Sequence, residues 1–239
     1  MEDSMNIKRS GLVSLLAALT ILFGGSLTQS EAQEGTPASH VVWQHVGRIY
    51  VNPNTGQAIY AGYLVDINGI PNPLFDGDPS EKTANFTFST DVLQLTPLPN
   101  NADIVLDLVS AGTFSVYYNP SPSGDWSNPG TFSSGQLIAT FERQESLFPI
   151  IGPIGLHSLS ESLLSSQNFT FDGQKFNFKR IAPHGITFAQ FFSSTPISGA
   201  GFGEYSLVYP GAGATVAVGP GHVVALPGSN LSLMGPSAK

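Results

Sequence analysis

No cysteine occurs anywhere in the chain. That single absence removes disulfides, thiolate catalysis, cysteine-ligated metals and a cysteine-linked lipid anchor. Charge is also scarce. Only 11% of residues are charged, against the usual quarter, which argues against solvated helical surfaces. The few basic residues form no patch or stripe, so nucleic acid, whose binding is driven by Lys and Arg neutralising phosphates, is excluded as a partner.

Catalytic signatures are missing as well. The nucleophile elbow G-x-S-x-G is absent; the nearest approach, Gly130 to Gly135, is one residue too long and precedes a strand rather than a helix. Neither H-x-H nor H-E-x-x-H occurs. His40 and His45 are five apart, which on a strand sends them to opposite faces, and a zinc site needs three or four converging ligands. The glycines at 199, 201, 203, 211 and 213 are followed by no helix and flanked by no lysine, so they read as turns rather than a phosphate cradle. Asp103 and Asp107 share a strand face, but about 13 Å of strand separates them, too far for a glycosidase pair. Asp107 therefore reads as decoration of a wet face.

What the sequence has is β structure and punctuation. In Gln167 to Arg180, two runs of alternating aromatic and polar residues flank Asp172-Gly173. Asp-Gly fits a two-residue type I′ turn, whose twist matches that of paired strands. The register then sets Phe171 opposite Gln174 and Phe169 opposite Phe176, with Phe169, Phe171, Phe176 and Phe178 on one face. Turn chemistry and hydrophobic pattern agree on that register, and a slip of one residue would destroy the agreement.

Further strands are expected at 40–51 and 57–67, joined by the turn Asn52 to Gly56, and at 83–89, 103–109, 113–119, 136–142, 203–209 and 215–218. The segments 91–99 and 148–155 are interrupted by proline, and Pro149 to Gly155 is the best candidate linker. One short helix is expected at Leu159 to Ser166. Ser158 and Glu161 match a capping box, and Leu156, Leu159, Leu163 and Leu164 have helical spacing.

The first 32 residues read as a secretory signal peptide. Lys8 and Arg9 form a positive start, and Gly11 to Phe23 an apolar stretch too short to span a bilayer comfortably. Ser30-Glu31-Ala32 supplies small residues for cleavage after Ala32. The remainder carries 7 basic and 14 acidic residues. Residues 33–226 are read as one all-β domain and 227–239 as a flexible tail.

Two loops stand out. In Phe75 to Glu81, the carboxylates of Asp76, Asp78 and Glu81 could hold Ca²⁺ weakly, since a hard cation takes oxygen ligands; the EF-hand pattern fails there, and a solvated acidic turn is the plainer reading. In Asn119 to Gly130, Trp126 stands among turn formers, where a large flat ring can serve as a recognition platform. Tyr117 and Tyr118 end the strand that leads into this loop. With Trp126 they are the candidate ligand-binding set.

The expected fold is all-β: eight to ten antiparallel strands in a sandwich, or alternatively a closed barrel, with one short helix. The expected protein is secreted or periplasmic and non-catalytic. It binds an unknown extracellular ligand or surface, uses no cofactor beyond weak Ca²⁺, and is not held in a membrane once its leader is removed. The alternative is a barrel whose phenylalanines line a ligand cavity, acting as a small-molecule carrier or an enzyme.

Overall fold

The computed structural model describes residues 35–99 and 104–220. The leader with its cleavage site, Asp103 and the tail 227–239 lie outside the described residues. The first hairpin pairs β1 (Val41–Val51) with β2 (Gln57–Ile67). It is followed by β3 (Phe86–Thr90), β4 (Leu93–Pro97), β5 (Ile104–Val109) and β6 (Gly112–Tyr118). Next come β7 (Gln136–Arg143), β8 (Ser146–Ile151) and β9 (Ile154–Ser166). A short hairpin, β10 (Phe169–Phe171) and β11 (Gln174–Phe176), leads into one helical turn, α1 (Phe178–Ile181). The last two strands are β12 (Ile186–Ser193) and β13 (Leu207–Ala217).

Eight of these strands close on themselves in the order β1-β13-β12-β9-β7-β6-β3-β2, and β2 pairs back to β1. The fold is all-β and antiparallel, and of its two expected forms the closed barrel is the one adopted. The remaining strands β4, β5 and β8 form a strap. It leaves the barrel at β2, where Ala58 pairs with Leu93, and returns at β9, where Ile150 pairs with Gly155.

Alternation builds the barrel wall. On β1, Trp43, His45 and Ile49 are buried while Gln44 is exposed; on β12, Phe188, Gln190 and Phe192 are buried while Ala189 and Phe191 are exposed. This period of two is what a sheet with one buried face requires. Inside, the rings of Trp43, Phe114, Phe88, Phe188 and Tyr60 meet at centroid distances of 4.9–6.1 Å.

The Phe169–Phe176 hairpin has the expected register. Asp172 and Gly173 both have positive φ, 47° and 73°, as a type I′ turn demands. It stands apart from the main sheet, however, and works as a stopper. Phe178 begins α1, whose first turn is capped by the Asn177 side chain accepting from the Lys179 amide. Its ring lies 5.8 Å from Trp43 and 6.3 Å from both Phe141 and Phe169. The helical turn and hairpin thereby fill the barrel end at which β1 begins.

Three expectations are corrected. Leu159 to Ser166 is not a helix but the second half of β9, paired to β12 and β7. Leucines at 156, 159, 163 and 164 fit helical spacing, but His157, Leu159 and Glu161 also share one strand face, and pairing on both sides decides the matter. Glu161 caps nothing; it points into the barrel. Pro149 to Gly155 is not a linker but the end of β8 and its turn into β9, with Gly152 at φ +57°. Residues 203–209 and 215–218 are not two strands, because β13 runs unbroken from Leu207. The strand count exceeds eight to ten because β4 and β8 form despite their prolines. Pro149 is tolerated because β8 meets β9 only through Ile150 and Ile151, leaving that side of Pro149 unpaired.

Candidate functional site

The barrel interior is not a dry hydrocarbon core. Register places His45 of β1 opposite Gly213 of β13, Gly213 opposite Gln190 of β12, and Gln190 opposite His157 of β9. Four residues further along β9, Glu161 lies opposite Arg143 of β7. Tyr60 adds a hydroxyl from β2. These six side chains are only 1–6% exposed.

Their hydrogen bonds are incomplete. Gln190 Nε2 donates to His157 Nδ1 at 3.1 Å, and His157 Nε2 lies 2.8 Å from Ser146 Oγ. With Nδ1 accepting, the neutral ring carries its proton on Nε2 and donates it to Ser146. Arg143 donates through Nη1 to the Ser110 carbonyl and through Nη2 to Asp91 Oδ1 at 3.5 Å. Gly112, opposite Arg143, leaves room for this pair: a Cβ there would lie 2.5 Å from Asp91 Oδ1 and 2.7 Å from Arg143 Nη2.

Seven buried side-chain atoms among the described residues have no partner: Trp43 Nε1, both ring nitrogens of His45, Tyr60 Oη, Arg143 Nε, Glu161 Oε2 and Gln190 Oε1. A buried polar atom without a hydrogen bond costs about 1–3 kcal/mol. Such a concentration in one interior marks a place kept polar at the expense of stability.

Burial also sets the ionisation. Desolvation drives His45 down to about 3, against a weaker upward pull from Gln190, and His157 down to about 4, helped by the Arg143 charge. The same desolvation pushes Glu161 up to about 8, although Arg143 pulls it back. Near neutral pH both histidines are uncharged and Glu161 keeps its proton, so Arg143 is the charge left in this cluster among the described residues. Its counter-ion, Asp91, approaches from a side chain 44% exposed.

Two voids adjoin this cluster. A void of about 20 Å³ lies among Arg143, His157, Glu161 and Gln190. A cavity of about 160 Å³ lies between the strap and the barrel mouth. Leu95, Asp107, Phe148 and Ile150 face it from the strap, and Ile49, Phe192, Ser193 and Tyr209 from the barrel. Ile49, Leu95, Phe148 and Phe192 border both voids, so the two adjoin across these side chains. Asp107 is thus half-buried at the cavity wall, on a strand face it shares with exposed Val105 and buried Val109, and burial raises its carboxyl above the ordinary range.

The residues singled out from sequence lie elsewhere. Trp126 is half-buried against the outer wall, its ring 4.4 Å from the Arg48 guanidinium, 4.7 Å from Phe132 and 5.9 Å from Tyr63. Its carbonyl accepts from Tyr50 Oη at 2.8 Å, which ties the loop to β1. Tyr118 packs instead on Phe86 of β3 and on Phe169 and Phe171 of the stopper, and Tyr117 pairs with Thr87 and Leu137 along the sheet. The structure does not gather these three aromatics into one surface. Asp76 and Asp78 are exposed, with Thr83 Oγ1 closing the turn onto the Asp78 carbonyl. Among the described residues no three His, Asp or Glu side chains converge to hold a metal ion, the Asp76, Asp78 and Glu81 loop included.

Sequence reasoning missed the interior cluster, although one signal was present: His157 and Glu161 share a strand face with Leu159, two ionisable groups in phase with a core residue. Compared with protein-family models, with curated proteins and with solved structures, the chain finds no significant match in any of them.

Proposed function

We propose that this chain is an exported β-barrel that holds a small molecule between its strap and its mouth. This is the cavity alternative drawn from its phenylalanine-rich strands, and export rests on the leader pattern of residues 1–32. The observation that carries the reading is the cavity of about 160 Å³, adjoining a smaller void lined by buried, unpartnered polar groups. An apolar cavity of about 150 Å³ accommodates a molecule the size of benzene. The occupant is accordingly a single compact ring or a short branched chain. A carrier needs no more than this.

Calorimetric titration with benzyl alcohol tests it. The expected result is one saturable site per chain that disappears in Ile150→Trp, where an indole occupies the strap side of the cavity. No saturable heat, or the same heat from the Ile150→Trp variant, would overturn the reading.

A further inference from the structure

We propose that the occupant is a small organic monocation, an ammonium on an apolar body. The inference rests on the cavity reading above and adds the chemical class of the ligand.

Asp107 is the only acid that borders the cavity, and no lysine, arginine or histidine borders it. Its carboxylate makes no hydrogen bond or ion pair with any described residue. Its cross-strand neighbours, Pro97 on β4 and Phe148 on β8, bring no charge, and the titratable group facing it from the barrel is Tyr209. Arg143 is engaged deeper, with Ser110 and Asp91. A half-buried carboxylate at the wall of an otherwise uncharged cavity is unfavourable until a cation joins it.

The remaining walls suit such a cation. Phe148 and Phe192 meet edge to face at 5.5 Å, and Tyr209 completes an aromatic border on which an ammonium is attracted by the ring faces. Ser193 and Ser194 stand at the rim as further polar groups. The chain as a whole carries a net charge of −8, a field that draws cations and repels anions.

Titrating the intact protein with benzylammonium, benzyl alcohol and benzoate separates the possibilities, because the three share a ring and differ in charge. Benzylammonium is expected to bind about tenfold more tightly than benzyl alcohol, and benzoate more weakly than either. That preference should shrink as salt is added. It should also vanish in Asp107→Asn and survive in Asp107→Glu, with circular dichroism confirming that both variants fold. Equal affinity for all three probes, or a preference that persists in Asp107→Asn, overturns the inference while leaving the cavity reading intact. Failure of all three to bind overturns both.

Discussion

Glu161→Gln should flatten the alkaline side of the stability profile. In the folded barrel Glu161 holds its proton up to about pH 8, whereas its ordinary value is 4.5. Between those values the unfolded chain releases a proton that the folded chain keeps. Stability therefore falls as pH rises, by up to about 1.4 kcal/mol per pH unit, and the loss levels off once the folded carboxyl also ionises. Integrated, the penalty is about 1 kcal/mol near pH 5 and on the order of 4 kcal/mol near pH 8. Glutamine has the same shape and no titration, so the penalty disappears. Any fixed cost of the amide shifts the whole profile without changing its slope.

The histidines set the opposite limb. His45 and His157 are held neutral in the fold, below their ordinary 6.5, so their contribution is present above that value and is lost as pH falls. Wild type should thus be most stable between the two limbs, near neutrality. Urea unfolding at half-unit intervals from about pH 5 to 9 measures the difference between wild type and Glu161→Gln. A gap that widens with pH, by on the order of 3 kcal/mol across the range, is expected from the linkage. Parallel profiles would refute the claim that Glu161 is a buried acid.

Two smaller tests concern the elements that frame the barrel. Gly173→Val should cost about 1–3 kcal/mol, the scale of a strained backbone position, because φ is +73° while the Cβ itself would meet nothing within 4 Å. Gly173→Asn, which tolerates that φ, should recover most of the loss in the same melting experiment, and equal melting temperatures for the two variants would mean that the turn imposes no such demand. Trp126 should supply nearly all iodide-quenchable tryptophan fluorescence, since Trp43 is fully buried. Quenching that survives in Trp126→Phe would show the barrel end at Trp43 to be open.

Local chemistry made the opening hairpin and the Asp172-Gly173 turn legible, because the turn and the alternating runs that specify each are contiguous in sequence. β9 was misread: leucines spaced three and four apart satisfied a helix, and only pairing to β12 and β7 imposes the strand there. The choice between sandwich and barrel depends on whether β13 returns to β1, a long-range pairing that no window of residues encodes. The interior site was hidden for the same reason. Arg143, His157, Glu161 and Gln190 each resemble an ordinary surface residue, and closure alone turns them towards one another. The placement of Trp126 was equally out of reach of local chemistry. Its loop is rich in turn formers, yet Arg48, Tyr50 and Tyr63 fold it down onto the wall.

The strap has one more effect, on association. A sheet of this length, rich in phenylalanine and poor in charge, is the material from which chains add to one another edge by edge. Here β2 and β9 each take a third neighbour, so the sheet branches instead of ending, and every strand of the eleven has company on both sides along at least part of its length. Part of the exposed backbone that would template a neighbouring molecule is thereby paired within the chain. The two seams that achieve this, at Ala58–Leu93 and Ile150–Gly155, are only two residue pairs long. Lifting either would present a fresh row of amides and carbonyls to the solution, so the first step towards fibrils would be a strap that has come undone rather than a barrel that has melted.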